Sequence, residues 1–135
     1  MDKKHFKFFK LAKDMSKQST HPRVYIGAVV VKKGMPIGEG VNLHKSHPVQ
    51  MQYNRFNPKM KENCNHFIHA EISAIVHTGT TELDGCSIYV YREDRKGNLA
   101  MCRPCPSCMA LIKATGIKKI YYTTKDGFCE ETVIN

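Results

Sequence analysis

Between residues 3 and 18 the apolar positions Phe6, Phe9, Ala12 and Met15 recur every third residue, with lysines between them. That period predicts an amphipathic helix laid on the body of the protein. The pattern changes from Arg23 to Lys32. Val-Tyr-Ile-Gly-Ala-Val-Val-Val is β-branched and apolar on both faces, which predicts a buried strand. Lys33-Gly34 reads as a turn and Met35 to Asn42 as the returning strand of a hairpin. Residues 43–66 lose the pattern and read as a long polar loop. Phe67 to His77 predicts a short buried helix that stops before Gly79, and Ser87 to Arg92 predicts a strand. Glu93 to Cys102 is charged and reads as a loop or extended hairpin. Pro106 to Thr115 predicts a helix, since Pro106 suits the first helical position and Gly116 the residue after the last. Lys119 to Thr123 predicts another strand, and Thr132 to Ile134 a last short one. Strand, helix, strand, helix, strand predicts an α/β layered domain with a mixed sheet.

The length of 135 residues predicts one domain over 1–135, with a core of two or three layers. The hydrophobic share, 41%, fits a globular chain and supplies no run long enough to span a membrane. The N-terminus, Met1-Asp2-Lys3-Lys4-His5-Phe6-Lys7, is basic but lacks the apolar stretch of a signal peptide, so a cytoplasmic location is expected. A formal charge of +9 points to an anionic partner and does not by itself separate a mononucleotide from a polynucleotide. The N-terminal lysines read as the solvated face of the first helix.

Six cysteines change the picture by their placement. Cys102, Cys105 and Cys108 fall within seven residues, while Cys64, Cys86 and Cys129 are scattered. Without a secretion signal, such a cluster reads as metal-binding more readily than as a disulfide framework. His69-Ala70-Glu71 precedes Pro104-Cys105-Pro106-Ser107-Cys108. Together they offer one imidazole, two thiolates and one unattached carboxylate. Three protein ligands leave the fourth position of a tetrahedral zinc open, the mark of a catalytic site. Cys105 before the helix and Cys108 one turn into it would point their sulfurs at one place, where the helix N-terminus favours thiolates. His69 and Glu71 would point to opposite sides in mid-helix. At a first turn they straddle the helix end, which puts Glu71 near a metal-activated water without ligating the metal. A structural zinc and a redox pair are the competing readings of Cys-x-x-Cys. The overlapping Cys102-Arg103-Pro104-Cys105 offers a second register, but Pro106 fits the first helical slot only if Cys105 and Cys108 are the ligands. Cys102 is then a buried thiol behind them.

On these residues the chain resembles the cytidine and deoxycytidylate deaminase superfamily, in particular short phage-type and bacterial deoxycytidylate (dCMP) deaminases. The likeness runs from about Arg23 to Thr124. It includes Ile26 to Val31, Gly40-Val41-Asn42, His69 to Ile75, Pro104 to Cys108 and Gly116 to Tyr122. The resemblance implies a three-layer α/β/α cytidine-deaminase-like fold with a five-stranded mixed sheet, and a catalytic zinc held by His69, Cys105 and Cys108. It implies that Asn42 bonds the sugar of the substrate, that Ala70 and Pro104 flank the base, and that Glu71 protonates the ring nitrogen and shuttles protons as water replaces the C4 amino group. Some relatives hold a second, structural zinc in the segment between Asn42 and His69. His44, His47, Cys64 and His66 are the residues that would hold one here, with a solvated loop as the alternative. Assembly into a homo-oligomer is also implied.

The substrate reading is therefore a cytosine nucleotide, dCMP first. Lys45 and Arg103 are the leading candidates for its phosphate, and His47, Arg55, Arg92, Arg95 and Lys96 are further ones. A base in tRNA or single-stranded nucleic acid is the second reading, with Tyr53 and Phe56 beside Arg55 as a stacking platform. A zinc module without activity is third, and the unligated Glu71 argues against it.

Overall fold

The computed structural model describes residues 2–60 and 65–134. In chain order the elements are α1 (Lys3–Ser16), β1 (Tyr25–Lys32), β2 (Met35–Val41), α2 (Pro48–Asn54), α3 (Ala70–His77), β3 (Ser87–Glu93), α4 (Pro106–Thr115), β4 (Lys119–Thr124) and β5 (Gly127–Thr132). The strands form one sheet in the order β2-β1-β3-β4-β5. Only β3 and β4 run parallel, joined through α4, and the other neighbours are antiparallel.

Strand alternation divides the core in two. Ala28, Val30, Ile88, Val90 and Ile120 turn to the face that carries α3 and α4. Val29, Val31, Tyr89, Tyr91 and Tyr121 turn to the face that carries Phe8, Phe9 and Ala12 of α1. The architecture is the expected α/β/α sandwich around a five-stranded mixed sheet. The hairpin turn takes positive φ at both Lys33 (48°) and Gly34 (78°), the two-residue turn whose twist suits the flanking strands.

Four elements depart from the sequence pattern. The inner face of α1 is His5, Phe8, Phe9, Ala12 and Ser16, whereas Phe6 is 45% exposed. A hydrophobic pattern does not reward histidine, yet His5 sits inside because its Nδ1 pairs with the Tyr89 hydroxyl at 2.6 Å and its ring lies on Tyr121. Segment 43–66, read as a loop, contains α2. Its inward side chains include Gln50 and Asn54, which hydrogen-bond one another, so the buried face carries no apolar period. Pro48 occupies the first turn, and the His47 ring caps the helix by accepting from Val49 N–H. Residues 67–69 precede α3 as extended chain. The terminal strand is Gly127–Thr132 and not Thr132 to Ile134. Its Glu130 and Glu131 suit an edge strand, where they pair with Lys119 and Arg103. No helix among the described residues is long and apolar enough to cross a membrane.

The elements bring their ends to one place. The start of β1 pairs with the end of β3, Ile26 opposite Arg92, and with the end of β2. The helices α3 and α4 begin on the same side. A cavity of about 360 Å³ lies there, lined in part by Ile26, Asn42, His69, Glu71, Arg92 and Cys105.

Candidate metal centre

His69 is the N-cap of α3 and Cys105 the N-cap of α4, and neither side chain caps its helix. Both are turned instead toward each other. His69 Nδ1 lies 3.6 Å from Cys105 Sγ and 3.3 Å from Cys108 Sγ. The three ligand atoms lie within 4.8 Å of one another, the one such group of three among the described residues. A tetrahedral zinc with Zn–N of about 2.0–2.1 Å and Zn–S of about 2.3 Å holds its nitrogen and sulfur ligands about 3.6 Å apart. The spacing of this donor set fits that ion. Cys105 and Cys108 are free thiols, which leaves both sulfurs for coordination.

The charge state of the cluster favours a metal. The Cys105 thiol is drawn down to about 3, first by its hydrogen bond with Cys108 and further by the His69 ring, against the opposing effect of burial. Cys108, fully enclosed, is pushed up by burial. Burial works against charge on His69 too, but its contacts with Cys105 and Glu71 outweigh it and raise the ring above the ordinary histidine value. A cation bound among them would replace these shared protons.

Glu71 is the second residue of α3, 5% exposed, and it lines the cavity beside His69 and Cys105. Burial raises its carboxyl, and the neighbouring His69 charge offsets part of that rise. A carboxyl held above its ordinary value at a cavity wall is suited to giving as well as taking a proton.

The other sequence-derived residues separate. Asn42 lines the cavity, but its amide is already engaged: Oδ1 accepts from Ile26 N–H at 3.0 Å and Nδ2 donates to Val24 C=O at 2.7 Å. The bonds clamp the ends of β1 and β2 together beneath the site. Ala70 and Pro104 are buried beside the centre and outside the cavity lining. Cys102 is buried behind it, bonded to Val90 C=O and paired with Thr123 Oγ1. Burial pushes its thiol up to about 12, so it stays protonated.

Among the described residues, those considered for a second metal form no group of three ligand atoms. His44 lies against Phe67, His47 caps α2, and His66 Nδ1 pairs with Asn54 Nδ2. Cys64 lies outside the described residues. Of the residues considered for phosphate, Lys45 is exposed and away from the cavity, while Arg103 lines it but is held bidentately by Glu131 at 2.7 and 2.9 Å. Arg92 lines it with one nitrogen on Met101 C=O. Tyr53 and Phe56 lie off the cavity lining, with Arg55 over the Phe56 ring.

One lining residue has no signal in the sequence, His21. Its Nδ1 accepts the N–H groups of Arg23 and Val24, which leaves Nε2 to carry the ring hydrogen. Burial lowers its pKa first, then the positive charges of His44, Arg23, His69 and Arg92. His21, Arg92 and Arg103 thus reach one cavity from separate segments that tertiary structure brings together.

Comparison with known proteins agrees with this geometry. Residues 2–124 match the family model of the cytidine and deoxycytidylate deaminase zinc-binding region. A probable deoxycytidylate deaminase of Caenorhabditis elegans is 28% identical over 130 residues, a match covering 89% of this chain. The chain spans 57% of the length of that nematode protein. Among solved structures, the dCMP deaminase of cyanophage S-TIM5 superposes with a TM-score of 0.62 at 26% identity, covering 90% of this chain and 84% of the phage chain. Guanine deaminase of Bacillus subtilis superposes with a TM-score of 0.56 at 26% identity, over 92% of this chain and 65% of that one.

Proposed function

The chain belongs to the cytidine and deoxycytidylate deaminase family, zinc-dependent by its matched region, and from that premise we propose that it hydrolyses a cytosine nucleotide, dCMP, to dUMP and ammonia. His69, Cys105 and Cys108 would hold the zinc. When bound, zinc acidifies water enough to make a nucleophile available near neutral pH. Glu71 would take one proton from a water in the cavity and deliver it to N3 of the pyrimidine as the water oxygen bonds to C4. It would then move the second proton from that oxygen to the amino nitrogen as the C4–N bond breaks, so that water in equals ammonia out. The cavity walls at Ile26 and Asn42 orient the ring, and the enclosure limits competing solvent.

The observation that carries the substrate reading is the pair of phosphate donors on the cavity lining: Arg92 supplies a guanidinium and His21 an imidazole N–H. A free nucleoside has no use for those donors, whereas a 5′-phosphate does. The names of the nematode and cyanophage relatives support the same substrate. With Arg103 engaged by Glu131, Arg92 and His21 are the groups best placed to receive the phosphate.

The test is ammonia release measured in parallel on cytidine, deoxycytidine, CMP, dCMP, dCTP, guanine and a short cytosine-containing oligonucleotide. Highest kcat/KM on dCMP is the expected result. Activity confined to the oligonucleotide, or to guanine, overturns the proposal.

A further inference from the structure

The helix α2 presents a line of buried polar groups to the metal centre. Gln50 is fully buried and Asn54 is 4% exposed. Gln50 Oε1 accepts the peptide N–H of His69 at 3.0 Å. Gln50 Nε2 donates to Asn54 Oδ1 at 2.7 Å, and Asn54 Nδ2 meets His66 Nδ1 at 3.0 Å. A peptide N–H can only donate, so the direction of the whole line is set from its His69 end. The Gln50 oxygen must face His69, its nitrogen must face the Asn54 oxygen, and the Asn54 nitrogen must face an unprotonated His66 Nδ1. Each amide is locked in one orientation by its neighbours.

The position of that first bond matters. His69 is the N-cap of α3, and its side chain is turned to Cys105 and Cys108 and makes no cap. The entry of the chain into α3 is therefore fixed by other means, and the peptide that Gln50 holds is the one from which the imidazole hangs. Val49 and Tyr53 pack into the main core, so Gln50 is carried on an anchored helix. We infer that Gln50, latched by Asn54, is a positioning residue for the metal ligand His69, a role that rests on the reading of His69 as a zinc ligand.

Partners of metal ligands typically account for 10–100-fold in metal affinity. Gln50→Met keeps the volume and removes the acceptor. We expect it to weaken zinc binding by about that factor in competition with a chelating dye, and to shift the visible absorption bands of the cobalt-substituted protein. Gln50→Glu, protonated in that fully buried place, keeps an acceptor toward His69 and an O–H donor toward Asn54 Oδ1, and recovers most of the affinity. Wild-type zinc affinity and a wild-type cobalt spectrum in Gln50→Met overturn the inference. So does equal loss in Gln50→Met and Gln50→Glu, which would assign the effect to the packing of α2. Should Gln50→Met not fold, Asn54→Leu decides the matter. It leaves Gln50 in place but unlatches its amide, and unchanged zinc affinity there overturns the role. His69→Ala separates the two ideas: full zinc binding in that variant sinks the ligand reading itself, whereas its loss alongside indifferent Gln50 variants sinks only the role of Gln50.

Discussion

Two residues in N-cap positions, His69 and Cys105, make no cap and face each other instead, and the chemistry of the chain follows from that exchange. With Cys108 one turn into α4, they form a donor set that uses the side chains and not the backbone of the helix starts. Glu71 is placed by the same logic, since only at a first turn can it share a cavity with His69. Glu71→Gln preserves shape and removes the proton carrier. General acid–base groups contribute about 10²–10⁴-fold, and we expect ammonia release to fall by at least that factor while zinc content and unfolding midpoint remain those of the parent. Turnover at the parental rate in Glu71→Gln would dismiss Glu71 as the shuttle. That Cys105 stands just before α4 with Pro106 as its first residue was legible from the sequence, because those signals act locally. His21 was not, because nothing in its own neighbourhood says that it meets Arg92 and His69.

At the scale of elements, β1 to β4 and α4 follow their local signals, β5 lies earlier than its pattern reads, and the departures in α1 and α2 occur where polar residues face inward. The His5–Tyr89 pair turns α1 by one position, and the bond between Gln50 and Asn54 makes a helix of a segment whose pattern reads as loop. Helix docking on the sheet is equally specific. Gly27 lies under α1, and a Cβ there would run into the Ala12 carbonyl oxygen, so backbone must move to admit it. Overpacking of this kind typically costs about 1–3 kcal/mol. Gly27→Ala should lower the urea midpoint accordingly with an unchanged slope, whereas Gly97→Ala, with open space around its Cβ but positive φ, serves as a contrast for backbone strain alone. A Gly27→Ala midpoint equal to that of the parent would show that α1 can slide away without penalty.

Across the whole molecule, the ion pair of Arg103 with Glu131 ties the approach to Cys105 to the terminal strand. The hydrogen bonds from Arg103 hold the Glu131 carboxyl below its ordinary value of 4.5. A depressed carboxylate stabilises the fold above that ordinary value, and the contribution fades as pH falls through the lowered one. Both partners are part exposed, so the contribution should stay under about 1 kcal/mol and shrink with salt. In Glu131→Gln, the acid-side decline of stability should be shallower below pH 4.5; a decline identical to the parent would mean that the pair is not formed in solution. The amino-acid sequence by itself determined the α/β order, the hairpin and the start of α4, and it singled out His69, Cys105 and Cys108 as candidate donors, because side-chain periodicity and short motifs are written locally in the chain. Only the tertiary structure decided which side chains line the cavity, that Arg103 is occupied by Glu131, that Asn42 clamps strands, and that Gln50 of α2 accepts the His69 peptide N–H. Those outcomes are contacts between distant segments, and a hydrogen bond or a charge pair formed on folding leaves no period in the chain to read.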